Sequence, residues 1–517
     1  MKHRETWKSK LGIIMAVAGS AIGLGNFLRF PVQAAQNGGG AFMIPYFISL
    51  LLLGVPLMWI ELTIGRFGGG FGHGTAPGIF HNMWTKNRFI KYFGVIGIFG
   101  QLVIFIYYTY IESWTLAYAF FSLVGKYSHN LDQQSMTSLL RGFQGLESNN
   151  FFSSMQYAYI FFLITFAINI YIIYKGISGG IERLCNIAMP VLFLCGIVIA
   201  VRVLMLGAPD HLKPDWNALN GLGYLWNPDL SSLRDAKVWL AAAGQILFTL
   251  SVGIGVILTY ASYLKKTDDI VLSGLTAAST NEFAEVILGS SIIIPAAFAF
   301  FGPVEIDAIA KGGAFNLGFI TMPLIFQRIA LGAFFGCIWF MLLFLAGITS
   351  SISLAQPSIA FLEDEFNISK KKAVIIFGMV SFILCQPAIL FLKNGVVNEL
   401  DFWGGTFCLV LFAAIETILF GWIFGMEKAW EEIHHGADMK LPNIYKFIIK
   451  YITPLFLILI LIAWTYQQGM PILLMKGIDK SDKPYILGIR LMLLGMFITL
   501  AILVKIAWQK RKILAKK

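Results

Sequence analysis

Apolar stretches of about 20 residues recur from one end of this chain to the other, each long enough to cross the ~30 Å hydrocarbon core of a bilayer as helix. Nothing else in the sequence limits the fold so sharply. A soluble chain carries roughly 25% charged residues. Here 13% of 517 residues are charged, 57% are hydrophobic and 45 are Phe. The pattern predicts an all-α polytopic membrane protein. About twelve transmembrane helices are expected, centred near residues 22, 52, 105, 162, 195, 250, 288, 345, 382, 412, 458 and 497.

The net charge of +11 would suit a nucleic-acid binder, yet its placement points elsewhere. Lys and Arg gather in "MKHRETWKSK", "KNRFIK", "LKKTDD", "SKKKAV", the loop from "MEKAWEE" to "YKFIIK", and "QKRKILAKK". These clusters fall in alternate loops together with both termini. By the positive-inside rule they place both termini in the cytoplasm of a bacterial plasma (inner) membrane protein. The excess is topological, and no nucleic acid is expected. The first span follows its basic segment without a small-residue cleavage site, so it reads as a retained helix. All five Cys (Cys185, Cys195, Cys337, Cys385, Cys408) lie in apolar spans at no metal-ligand spacing, as packing residues do.

Between the spans no polar stretch is long enough for a soluble domain. The longest are near 125–152, 207–236 and 425–445. The segment "GPVEIDAIAKGGAFNLGFITMP" reads as a helical hairpin over the outer surface. "GRFGGGFGHG" is glycine-rich but lacks the Lys-Ser/Thr ending of a phosphate loop, and it falls in a short cytoplasmic turn. His434 and His435 read as solvated loop residues. The spans contain no nucleophile–base pair or metal cluster, so an enzyme is not expected.

The first span is interrupted by the residues least suited to it. "AGSAIGLGNFLRFP" places Gly19, Ser20, Gly23 and Gly25, then Asn26 and Arg29, at mid-membrane. The sixth span echoes it: "LSVGIGVI" repeats the small polar residue, branched apolar residue and Gly-x-Gly of "SAIGLGNF". Gly and Ser at these points let a helix unwind. Unpaired backbone at that depth is tolerated only when it is buried in protein or lines a cavity. Freed carbonyls can hold a cation, and a new half-helix N-terminus presents N–H groups to an anion. Gly19 and Gly23, four apart, would also let helices pack closely. The matched pair favours a binding site. The two copies are five spans apart, and with an odd number of helices per unit the second enters the membrane inverted.

"GLGNFLRFPVQAAQNGGGAFMIPY" and "GQILFTLSVGIGVILTYASY" resemble the neurotransmitter:sodium symporter family. The likeness runs from Trp7 to about Trp464 and includes "YIESWTLAYAF", "GGAFNLGFITMP" and "AGITSSI". The resemblance implies an inverted repeat of five plus five helices with helices 1 and 6 unwound. Residues 1–210 would form the first repeat, 211–425 the second, and 426–517 helices 11 and 12 with a cytoplasmic tail.

The resemblance also assigns ligands. Two Na⁺ ions would be carried as co-transported ligands, with no organic cofactor. One would sit on Ala21, Asn26, Thr249, Asn281 and the substrate carboxylate. The other would sit on Gly19, Ile22, Ala346, Thr349 and Ser350. All these protein ligands are neutral oxygens, unlike the carboxylate-rich sites of Ca²⁺. The substrate pocket would comprise Ala21, Leu24, Gly25, Ile104, Tyr108, Phe248, Thr249, Ser251, Ile254, Ser350 and Leu354. Gly23 stands where monoamine carriers of the family have Asp, which implies a substrate that brings its own carboxylate. A leucine carrier of the family has Asn at the position of Ser20, Val at Ile104, Phe at Ile254 and Ile at Leu354. A methylene is worth only about 1–3 kcal/mol in such a pocket, so these exchanges re-rank neutral amino acids.

Arg29 with Asp401 would form an outer gate, and Arg4 with Asp364, backed by Trp7, Ser262 and Tyr263, an inner one. Glu61 and Glu112 read as hydrogen-bonded structural acids. Glu285, one turn after Asn281, falls where chloride-dependent members have a neutral residue, which suggests chloride independence and a proton carried on the return step. The expected function is sodium-coupled symport of a neutral, hydrophobic amino acid, with leucine, alanine and methionine as examples. The partners are that substrate and the lipid bilayer, and a homodimer is left open. A sodium-dependent amino-acid sensor and a proton-coupled carrier of the same fold are the rival readings.

Overall fold

The computed structural model describes residues 5–127 and 132–516. These residues are almost entirely helical, and no strand occurs among them; the one β-bridge joins Gly39 to Pro228. Among the described residues nine helices are long and apolar enough to cross a membrane, or ten when the bent pair Lys10–Ala21 (α1) and Leu24–Gln36 (α2) counts as one span. The others are Gly40–Gly69 (α3), Ile90–Leu123 (α4), the run Gln156–Leu204, Ile270–Ile306, Gly332–Phe366, Lys370–Leu390, Val396–His434, Ile444–Gln467 and Lys483–Arg511. The run of 49 residues turns at Gly176 (φ 93°), between Gln156–Gly176 (α5) and Glu182–Leu204 (α6). Ala236–Thr249 (α7), with 14 residues, is too short to span alone and is followed after a break by Val256–Ala261 (α8). We number the remaining helices Ile270–Ile306 (α9), Gly332–Phe366 (α10), Lys370–Leu390 (α11), Val396–His434 (α12), Ile444–Gln467 (α13) and Lys483–Lys516 (α14).

The apolar faces are distributed as a bilayer requires. α4 is 83% buried within the protein, whereas α14 is only 17% buried and presents its apolar side chains outward. α4 and α10 pack along each other at the centre, and α1, α2, α7 and α8 complete the ring around a shared interior. The segment expected as a hairpin is helical. α9 continues as helix to Lys311, bending at Gly302 (φ 74°), and Ala314–Gln327 follows. All five cysteines are free.

Both breaks fall where the glycine and serine residues predicted them. α1 ends at Ala21; Ile22 and Gly23 are extended, and α2 leaves at 50° to α1. In the second break Ser251 (φ 52°), Gly253 (φ 76°) and Gly255 (φ 81°) adopt left-handed backbone. Glycine reaches that region without the steric cost borne by other residues. A buried carboxylate holds this break open: Glu61 of α3 accepts from the amides of Gly253 and Leu258, the latter at 3.1 Å. Gln101 of α4 donates to the Ile254 carbonyl. The freed backbone groups are thus satisfied inside the protein, as the membrane interior demands.

Candidate functional site

The two breaks face each other across a cavity of about 280 Å³. All eleven residues assigned to the substrate pocket line it: Ala21, Leu24, Gly25, Ile104, Tyr108, Phe248, Thr249, Ser251, Ile254, Ser350 and Leu354. So do Gly23, Asn26, Arg29 and Asp401. The cavity has a polar end. There α2 begins at Leu24, whose amide lies 3.4 Å from the Tyr108 hydroxyl. The half-helix N-terminus and the phenol together suit a carboxylate. A Cβ at Gly23 would lie 3.1 Å from Tyr108 Oη and 3.2 Å from Ser350 Oγ, so a side chain there would press on both hydroxyls. Ile104, Phe248, Ile254 and Leu354 make the rest largely apolar.

The first set of predicted cation ligands is drawn together behind the cavity. The Asn26 side-chain nitrogen lies 3.1 Å from Thr249 Oγ1 and 2.8 Å from Asn281 Oδ1, while Asn26 Oδ1 accepts from the Gly23 amide at 2.9 Å. Glu285 backs this group. Its Oε2 accepts from Thr249 Oγ1 and lies 3.3 Å from Asn26 Nδ2, and Gln245 donates to its Oε1. The carboxylate is fully buried.

The second set meets where α10 crosses α1. Ser350 Oγ is 3.5 Å from the Gly19 carbonyl, 3.2 Å from that of Ser20 and 3.1 Å from that of Ala346. Thr349 Oγ1 bonds back to Leu345 and Ala346 at 3.0 and 3.2 Å. Both hydroxyls therefore make the ordinary bonds of a helical Ser or Thr, and Ser350 also reaches the broken helix. Ile22 is fully buried. These are oxygens gathered without a net charge. Among the described residues no group of three His, Cys, Asp or Glu could hold a metal ion.

The expected outer gate is differently arranged. Arg29 and Asp401 line the same cavity, but no ion pair joins them. The Arg29 guanidinium rests 4.6 Å over the Phe248 ring, and Asp401 accepts the Tyr107 hydroxyl at 2.6 Å. A cation–π contact and a phenol replace the expected bridge. At the opposite end the cavity is sealed. Trp7 donates to the Tyr260 carbonyl at 3.0 Å and meets that ring edge-on at 5.3 Å. Tyr263 accepts from Gln356 at 2.8 Å, and Ser262 bonds back to Thr259. Arg4 lies outside the described residues, so its pairing with Asp364 has no geometry here.

Several partners escape a reading by motif. Gln245 and Glu282 belong to the acid network: Tyr46 donates to Glu282 at 2.7 Å, and Asn281 Nδ2 lies 3.4 Å from it. Ala314 and Phe315 bring the outer hairpin to the cavity wall. Glu112 is held through both oxygens by Asn169 at 3.1 and 3.2 Å, and Asn169 in turn accepts from Ser351 at 2.6 Å. That fits a structural acid. An intramembrane carboxylate is the signal that could have found Glu416, which is fully buried. His434 and His435 are not simply solvated: His434 accepts from the Leu441 amide at 3.0 Å, and His435 lies 3.0 Å from the Lys266 carbonyl.

Comparison with known proteins gives a consistent picture. A profile for the sodium:neurotransmitter symporter family matches residues 4–138 and 134–510. An uncharacterised sodium-dependent transporter of Methanocaldococcus jannaschii is 30% identical over 462 residues, covering 88% of this chain and 89% of that protein. Another from Haemophilus influenzae is 28% identical over 479 residues, 89% and 98% of the two. Among solved structures, MhsT in complex with L-phenylalanine superposes with a TM-score of 0.76 at 29% identity, covering 89% of this chain and all of that one.

Proposed function

The chain belongs to the sodium:neurotransmitter symporter family, and from that premise we propose that it carries a neutral, hydrophobic amino acid by alternating access, driven by two Na⁺ ions. It is a sodium-dependent, multi-pass membrane transporter. The observation that carries the finer reading is Gly23. The cavity offers a half-helix N-terminus and a phenol to an anion, and at that point the chain carries glycine rather than an acidic side chain. A substrate bound there brings its own carboxylate. The apolar remainder of the cavity suits an apolar side chain, and the structure of MhsT with L-phenylalanine supports a substrate of this class.

The reading extends to topology and energetics. Twelve spans result when the run Gln156–Leu204 counts twice and α7 joins α8. Two repeats, 1–210 and 211–425, then relate the breaks by inversion, with 426–517 added and both termini cytoplasmic. Two Na⁺ crossing 100 mV gain about 2 × 2.3 kcal/mol, and a tenfold gradient adds about 1.4 kcal/mol for each. The sum of about 7 kcal/mol sustains roughly a 10⁵-fold substrate gradient at the limit. The buried Glu285 carboxyl stands beside the first cation set, and its presence there supports transport without chloride.

The test is uptake of radiolabelled amino acids into proteoliposomes with an inward sodium gradient, against potassium as control. Concentrative uptake of an apolar amino acid with sodium alone is expected. Sodium-dependent binding that never becomes concentrative would make the protein a sensor. Uptake driven by a pH gradient and indifferent to sodium would overturn both cation assignments.

A further inference from the structure

An ionic cluster built on a buried carboxylate lies away from the cavity and has no part in the roles assigned so far. It begins in the glycine-rich turn after α3. There His73 Nδ1 lies 2.6 Å from Oε1 of Glu365, near the end of α10, and the Glu365 side chain is fully buried. The third member comes from the far end of α14. Arg511 Nη2 is 3.1 Å from Glu365 Oε2 and donates to the Asp364 carbonyl at 3.1 Å, while Nη1 is 2.9 Å from His73 Nε2. Trp508, one turn earlier, stacks on the His73 ring at 6.0 Å.

The protons in this cluster can be placed by valence alone. A guanidinium only donates, so His73 Nε2 accepts from Arg511 and the ring hydrogen sits on Nδ1, donated to Glu365. His73 is neutral, and Arg511 balances the buried carboxylate. A proton arriving on Nε2 would remove Arg511's acceptor and set two cations against one carboxylate.

The cluster also joins two structural units. α3 is seated on α8: a Cβ at Gly65 or Gly69 would lie 2.1 Å from the carbonyl of Leu258 or Ser262. α3 also grips the second break through Glu61. α10 carries Thr349, Ser350 and Leu354 on the other side of the cavity. His73 and Glu365 tie these two units together at the end sealed by Trp7 and Tyr263, and Arg511 fastens both.

We propose that Arg511 is a positioning residue for closure of this end of the cavity: with His73 neutral it clamps the turn after α3 to the end of α10, and protonation of His73 releases it. The proposal rests on reading this end as the cytoplasmic one. The ionisable groups facing His73 are Asp364 and Glu365 on α10, Arg511 on α14, and His81 and Lys91 across Trp508, each 5.4 Å from that ring. Lys510 lies further along, over Phe366. Of the two histidines, His73 is the one that holds the guanidinium.

Cys185 supplies a native reporter. It is 1% exposed on α6, and a Cβ at Gly19 would lie 3.5 Å from its Sγ. The full-length protein is treated with a water-soluble maleimide, and Cys185 alkylation is read by mass spectrometry. Rates are normalised to those of the unfolded protein at the same pH. At about pH 7.5, Arg511→Ala is expected to label about tenfold faster than wild type, as a ~1.4 kcal/mol loss of closing preference would read. Wild type taken to about pH 5.5 is expected to show the same rise. His73→Gln, whose amide donates to Glu365 and accepts from Arg511, stays slow at both pH values. His81→Gln keeps the wild-type response. Unchanged labelling in a folded Arg511→Ala, or an acid response that survives in His73→Gln, overturns the proposal. If Arg511→Ala fails to fold, wild type against His73→Gln still decides it. Labelling needs neither sodium nor substrate, so failure of the transporter reading would leave this result intact.

Discussion

Gly23 shows how much one residue can decide. Its missing side chain leaves the space beside Tyr108 Oη and Ser350 Oγ, and the α2 N-terminus, open to an anion. Gly23→Asp would place a carboxylate against the substrate's own. Like charges so juxtaposed cost several kcal/mol, so amino-acid uptake is expected to fall about 100-fold or more while the protein still purifies folded. Wild-type uptake in this variant would mean that the substrate carboxylate binds elsewhere. Ile254 acts more gently. Ile254→Phe adds volume to the apolar wall, narrowing the cavity, and is expected to shift preference toward a smaller side chain by about tenfold, read as the ratio of kcat/KM for two labelled amino acids. These positions were legible in the sequence because both lie inside motifs.

At the scale of elements, the breaks are built rather than merely permitted. Gly253 sits at φ 76°, and a Cβ there would lie 2.8 Å from Ala413 Cβ and 2.9 Å from the Leu409 carbonyl. Gly253→Ala is therefore expected to lose about 1–2 kcal/mol from backbone strain and more from the clash, seen as a lowered Tm. Gly488→Ala, in open space on α14, is expected to hold or raise Tm, since alanine gains about 1 kcal/mol over glycine in a helix. Glu61→Ala leaves the buried amides of Gly253 and Leu258 without an acceptor, at about 1–3 kcal/mol each. Glu61→Gln keeps one acceptor and should fall between. Equal Tm for all Glu61 variants would mean that the break holds itself open. The sequence announced both breaks through Gly and Ser. It could not announce Glu61's role, because the amides it serves lie 192 and 197 residues away.

At the scale of the whole molecule, the cavity belongs to no single segment. α1, α2, α4, α7 and α10 all contribute, and the outer hairpin reaches in with Ala314 and Phe315. Glu285 ties the two broken helices through Asn26 and Thr249. Sodium-driven uptake is accordingly expected to be unchanged when chloride is replaced by gluconate on both sides at any pH; a strict chloride requirement would remove Glu285 from this role. Arg29 and Asp401 at the cavity wall do not pair, so a charge-reversal exchange of the two tests whether they meet during the cycle. Recovery of uptake in the double variant over either single one is expected if they do.

The sequence by itself determined the membrane class, the two interrupted helices and the family likeness, because each is written in local pattern: run length, charge alternation, and Gly-Ser spacing. Only the tertiary structure decided which buried acids face which donors, how Arg29 rests on Phe248, and that His73 meets Arg511 from 438 residues away. The physical reason is range. Backbone conformation and bilayer partitioning follow from neighbouring residues, whereas a buried polar group is satisfied by whatever the packed helices bring within about 3 Å of it.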